Sequence, residues 1–124
     1  MIRFFTFILL VHFLSGNLSA QNLIPDWSAE DYYQCPNTLG PVDSFLIQWI
    51  AYRGTSDYFH FCSDGLGYSN PLGYQQPRNG EGYIGALTYS KNLSNAREYF
   101  GVELTEPLVI GQTYYISFYT SFAF

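Results

Sequence analysis

Thr113-Tyr-Tyr-Ile-Ser-Phe-Tyr-Thr-Ser-Phe122 is the stretch on which the fold class turns. Tyr114, Ile116, Phe118, Thr120 and Phe122 alternate with Tyr115, Ser117, Tyr119 and Ser121, which is the two-residue period of a strand with unlike faces. Working back along the chain, Glu98, Phe100, Val102 and Leu104 alternate with Arg97, Tyr99, Gly101 and Glu103, predicting a half-buried strand over Arg97–Leu104. Phe45–Tyr52 places Phe45, Ile47, Trp49 and Ala51 on one side and Leu46, Ile50 and Tyr52 on the other. Being apolar on both sides, it reads as a central strand. Shorter strands are expected at Gln21–Pro25, Asp57–Cys62 and Tyr83–Tyr89, where Gly85 and Ala86 leave room for a close neighbour. Helical periodicity is absent from residues 21–124 apart from one turn's worth at Leu93–Glu98. The fold class is therefore all-β, and the strand spacing predicts a sandwich. The last strand runs to Phe124 without a turn or polar tail, so the sandwich is expected to be incomplete at its C-terminal end.

Composition narrows the function classes. The chain has 124 residues, 48% hydrophobic, 20% aromatic and 12% charged, with a net charge of −5. That length allows one domain, and so aromatic a chain is not intrinsically disordered. Ten acidic residues against five basic ones argue against nucleic acid or an anionic membrane as partner.

The N-terminus has its own logic. Arg3 precedes the apolar run Phe4–Leu14, and small or polar residues follow from Ser15 to Ala20. This is the layout of a secretory signal peptide cleaved between Ala20 and Gln21, the apolar run being too short to span a bilayer. The expected division is a signal peptide over 1–20 and a partial sandwich domain over 21–124, with no transmembrane segment in the mature chain. Export places the protein in the periplasm, on the outer-membrane surface or outside the cell. In such a compartment Cys35 and Cys62, the only cysteines, read as a structural disulfide, worth about 3.5 kcal/mol on the chain-entropy account.

Candidate binding residues gather in Ser63–Glu81, a long stretch without period, rich in Gly, Pro and Asn. Tyr68, Tyr74, Gln76 and Arg78 can stack on a ligand and hydrogen-bond its hydroxyls, with Tyr115 and Tyr119 as additional candidates. The plainer alternative is a packed surface loop whose tyrosines cover a sheet edge. Catalysis finds little footing: His60, the only histidine after residue 20, sits between Phe59 and Phe61 and reads as structural. Gly65-Leu66-Gly67 and Gly80-Glu81-Gly82 lack the strand–helix context and lysine of a phosphate loop and read as turns. No enzyme is expected.

Several segments together resemble a family of secreted Bacteroidetes proteins whose mature chains open on a phrase like Asn-Leu-Val-Pro-Asn-Pro-Ser-Phe-Glu, followed by Cys-Pro. Here the phrase is Asn22-Leu23-Ile24-Pro25-Asp26-Trp27-Ser28-Ala29-Glu30, followed by Cys35-Pro36. Further matches are Asp57-Tyr58-Phe59, Gly73-Tyr74-Gln75-Gln76-Pro77, Gly82-Tyr83-Ile84-Gly85, Arg97-Glu98-Tyr99, Glu103-Leu104-Thr105-Glu106-Pro107-Leu108 and Gly111-Gln112-Thr113-Tyr114-Tyr115. The phrase departs from the pattern at Asp26-Trp27 and at Ala29.

The resemblance implies a jelly-roll β-sandwich of the galactose-binding or carbohydrate-binding-module kind, standing before an OmpA-like or sorting domain. It implies a non-catalytic surface module that binds glycan or a cell-envelope polymer; the alternative is a structural or adhesive N-terminal spacer. It also carries over Glu30 as a ligand of a structural calcium in the complete domain. No other cofactor is expected.

Overall fold

The computed structural model describes residues 21–122; the expected signal peptide at 1–20 lies outside them. A single 3-10 turn, Val42–Ser44, precedes six strands: β1 Trp49–Arg53, β2 Asp57–His60, β3 Ser69–Asn70, β4 Gly73–Tyr74, β5 Gly82–Gly85 and β6 Tyr99–Val102. They pair as three two-stranded antiparallel sheets, β1 with β6, β2 with β5 and β3 with β4. The described residues contain no α-helix, and the class is all-β.

The turn after Pro41 sets the core. Backbone bonds from Phe45 and Leu46 back to the Val42 carbonyl close it, and the spacing of Val42, Phe45 and Leu46 becomes that of a helix face. All three are buried, with Ala29 and Tyr58 beside them and Trp49, Ala51 and Ile84 packed against the cluster. This corrects the strand expected from Phe45: adjacent Phe45 and Leu46 both point inward, Ile47 is exposed, and the strand begins only at Trp49. Nor is β1 central. Among the described residues its sole ladder partner is β6, while Ile50 and Tyr52 face outward.

β1 and β6 register Trp49 on Val102 and Ala51 on Phe100, with an irregularity before Arg53. The Trp49 and Phe100 rings meet at 5.8 Å. Gly101 lets the exposed Tyr52 ring lie close over the backbone, where a Cβ would stand 2.8 Å from it.

β2 is the most buried strand, with Tyr58, Phe59 and His60 all inside. Phe59 stacks on Tyr83 of β5 at 4.9 Å, and Gly85 lets the Phe59 ring approach to where a Cβ would be only 2.8 Å away. The room expected at Gly85 is thus filled by Phe59.

Elsewhere the strands are shorter than their alternation predicts. Gln21–Pro25 forms no strand, although Thr105 donates to the Leu23 carbonyl at 2.9 Å. Ala96 donates to Leu93 in the expected turn. The strand predicted over Thr113–Phe122 pairs with nothing among the described residues, and nearly all of it is exposed. Alternation creates two faces, but a strand exists only where another strand accepts its backbone bonds. Among the described residues no edge is presented to it.

Candidate functional site

Polar and aromatic side chains gather in two arrangements: a row of exposed side chains along 74–78 and a polar knot around Glu30. The row starts on the β3–β4 hairpin. Asn70 shapes the turn, its Oδ1 accepting from the Leu72 N–H at 2.9 Å, while its Nδ2 donates to the Gly67 carbonyl and to the Tyr83 hydroxyl, the latter at 2.7 Å. The pairing Ser69–Tyr74 and Asn70–Gly73 is extended by the Gln75 N–H donating to Tyr68 at 2.8 Å.

Beyond the hairpin, exposure alternates. Tyr74, Gln76 and Arg78 are exposed, while Gln75 and Pro77 are half-buried. The Gln76 amide donates to the Tyr74 hydroxyl at 2.8 Å. The Arg78 guanidinium lies 4.7 Å from the centre of the Tyr119 ring, within cation–π range. An aromatic face, an amide and a cation thus follow one another on one side of the chain, joined by a ring from the C-terminal segment.

The structure separates the other two candidates from this row. Tyr68 is the cross-strand neighbour of Gln75, so it leaves the hairpin on the face opposite Tyr74; its ring packs on Phe61 at 5.1 Å. It fits the plainer expectation of a tyrosine covering the fold. Tyr115 is 96% exposed.

Glu30 organises the polar knot. Its Oε1 accepts from the N–H groups of Glu81 at 2.8 Å and Gly82 at 2.9 Å, and its Oε2 lies 3.4 Å from His60 Nε2. His60 Nδ1 accepts from the Cys62 N–H at 3.0 Å, so the proton of the neutral ring belongs on Nε2, facing the carboxylate. Tyr32 covers the imidazole with its ring 4.8 Å away. Tyr58 donates to the Ala29 carbonyl at 2.9 Å, and burial pushes its hydroxyl far above the ordinary tyrosine range.

The two glycines around Glu81 make this possible. Gly80 has φ +66° and a Cβ there would overlap Glu30 Oε1, while a Cβ on Gly82 would run into the Ala29 carbonyl. Gly80-Glu81-Gly82, read from sequence as a plain turn, is therefore a carboxylate cradle. The spacing of two glycines about one acidic residue was the available signal, but its partner lies some fifty residues upstream in the chain.

A calcium at Glu30 does not fit this geometry. The carboxylate is surrounded by N–H donors where a calcium ion needs six to eight oxygens, and no three His, Cys, Asp or Glu side chains converge among the described residues. His60 is equally committed, with one ring nitrogen on a backbone N–H and the other on Glu30.

Two further features frame the site. Cys35 and Cys62 form the expected disulfide, with Cα atoms 5.9 Å apart, tying the segment before the 3-10 turn to the residues just after β2. Beside it lies an open depression of about 530 Å³ lined by residues including Pro36, Leu39, Asp64 and Pro71. Glu98, read from sequence as one face of the Arg97–Leu104 strand, clamps two loops: Oε1 accepts from the Thr55 N–H and hydroxyl, and Oε2 from the Leu87 N–H at 2.7 Å. None of the described helical turns is long and apolar enough to cross a membrane.

No protein-family model, curated protein or solved structure matches this chain.

Proposed function

We propose that the chain is an exported, non-catalytic surface module of the jelly-roll type that binds glycan or a cell-envelope polymer. The observation that carries this reading is the row Tyr74–Gln76–Arg78 with Tyr119 against Arg78. Tyrosine rings offer flat faces to the C–H side of a sugar, and the amide and guanidinium supply donors for its hydroxyls and ring oxygens. The row is exposed and linear, which suits a polymer lying along it better than a small molecule enclosed in a pocket. The polar knot serves this role indirectly, because Glu30 anchors the chain immediately after Arg78 through the N–H groups of Glu81 and Gly82.

The test is a glycan and envelope-polymer array probed with the exported chain, followed by titration of whatever binds. Tyr74→Ala is expected to weaken binding about five- to tenfold, as the loss of one stacked ring costs on the order of 1 kcal/mol. Arg78→Ala should weaken it similarly. Binding that both substitutions leave intact overturns the site. A chain that binds no glycan or polymer favours the spacer role instead.

A further inference from the structure

We propose that the polymer taken by the Tyr74–Gln76–Arg78 row is an acidic polysaccharide whose charges are the carboxylates of uronic-acid rings, an assignment that rests on the glycan reading and narrows it to one class. Two observations carry it: where the chain places its charges, and what those charges touch.

Charge is segregated along the chain. Residues 65–97 hold Arg78, Lys91 and Arg97, three of the four basic residues after residue 20, and a single acidic residue, Glu81. Residues 21–64 and 98–124 hold nine acidic residues and Arg53 alone. The stretch that contains the row therefore has a net charge of +2, against −8 for the rest. Charges are screened over about 8 Å at physiological ionic strength, so a ligand on the row responds chiefly to the groups beside it.

The cations of this stretch are open to a ligand, and the carboxylates around it are committed elsewhere. Among the described residues the one ion pair is Glu30 with His60, so no carboxylate holds Arg78, Lys91 or Arg97. Arg78 and Arg97 instead lie over exposed tyrosine rings, 4.7 Å from the centre of Tyr119 and 5.8 Å from that of Tyr89. A ring positions a guanidinium without consuming the N–H fork at its edge; Arg97 gives one N–H to the Ala96 carbonyl. Three carboxylates approach from other elements, and each is turned to backbone N–H groups. Glu30 accepts from Glu81 and Gly82, Asp57 from Gly40, and Glu98 from Thr55 and Leu87. Glu81 is exposed three residues beyond Arg78 and does not pair with it.

A free guanidinium takes a planar carboxylate through two parallel N–H bonds. On the row, that carboxylate meets Arg78 while another ring of the same polymer lies on Tyr74 and offers its hydroxyls to Gln76. Tyr74 and Arg78 are four residues apart, a reach of at most about 14 Å, which neighbouring rings of one polymer can bridge. A nucleic acid duplex, with a charge every ~1.7 Å, sets far more negative charge against the acidic remainder of the chain. A uronate polymer carries at most one charge per ring.

Titration of the full chain with polygalacturonate, polymannuronate and hyaluronate, each beside the same polymer with its carboxylates reduced to alcohols, tests the assignment. At least one uronate should bind, and its reduced counterpart at least about tenfold more weakly. Arg78→Gln keeps a donor for hydroxyls but removes the charge. It should lower uronate affinity about fivefold and change affinity for the reduced polymer little. Arg53→Gln, which removes the same charge from an exposed position in the acidic part of the chain, should change nothing. Polyglutamate, which offers carboxylates without sugar rings, should bind at least about tenfold more weakly than the uronate. Intact Cys35–Cys62 and an unchanged circular dichroism spectrum certify folding. Neutral polymers bound as tightly as uronates, or bound alone, overturn the assignment and leave the glycan reading standing. Uronate binding that Arg78→Gln leaves intact, that Arg53→Gln weakens equally, or that polyglutamate matches overturns it as well. A chain that binds no polymer, charged or neutral, overturns the glycan reading itself and the assignment with it.

Discussion

The carboxylate of Glu30 reaches across the chain to lie 3.4 Å from Nε2 of His60, while its other oxygen holds two consecutive N–H groups of the Gly80–Gly82 segment. One side chain therefore joins the opening segment, β2 and the entry to β5. With a core of only a few buried side chains, polar ties of this kind carry an unusual share of the fold.

Removing the tie should be measurable. Glu30→Ala leaves two N–H groups and the His60 proton without partners, and should cost about 1–3 kcal/mol in urea unfolding. Glu30→Gln keeps an acceptor and should cost less. Equal losses in the two variants would mean that the N–H bonds contribute little.

Gly80 and Gly82 should be as sensitive as Glu30. Gly80→Ala combines a positive φ with an overlap on the Glu30 carboxylate, and Gly82→Ala an overlap on the Ala29 carbonyl; each should destabilise by about 1–3 kcal/mol. Gly65→Ala, where a Cβ meets nothing, is the matched control and should cost far less by thermal unfolding.

Stability should also respond to pH through Asp26 and Asp57. Burial raises both carboxyl groups above the ordinary 3.8, against the lowering effect of the N–H bonds they accept. The folded state therefore holds its protons more tightly than the unfolded chain. That contribution is fully present below the ordinary carboxyl range and is lost as pH rises through the raised values. Asp26→Asn, which removes the charge from a site where Oδ2 is buried without a partner, should stabilise the chain at neutral pH and lose its advantage in acid. Parallel pH–stability curves for the two proteins would contradict this.

Tyr58 acts at the other end of the scale. Its hydroxyl is held in the neutral form by burial, well above 10.0, so the unfolded chain loses this proton first and stability should fall as pH climbs past about 10. Tyr58→Phe should flatten that fall while losing about 1 kcal/mol at neutral pH with the bond to Ala29.

The disulfide prediction is simpler. Replacing Cys35 and Cys62 together by serine should cost about 3.5 kcal/mol, and reductant should reproduce the loss in the wild-type chain. Urea curves with and without reductant check it.

The sequence by itself settled the all-β class, because alternation and the lack of helical spacing are local properties that each segment carries alone. It settled the Cys35–Cys62 pairing too, since two cysteines allow one intramolecular bond. It placed β2 and β6 within a few residues, and it singled out Tyr74, Gln76 and Arg78 from their chemistry. Tertiary structure decided what depends on partners. Phe45 and Leu46 both point inward because a turn after Pro41 replaces the strand period with a helical one. Tyr68 parts from Tyr74 because a hairpin register puts them on opposite faces. Glu30 finds the Gly80–Gly82 cradle across a separation no local pattern spans. Thr113–Phe122, with the clearest alternation of all, pairs with no strand among the described residues. A period of two states which face each side chain would take; only a neighbouring backbone turns that period into a strand.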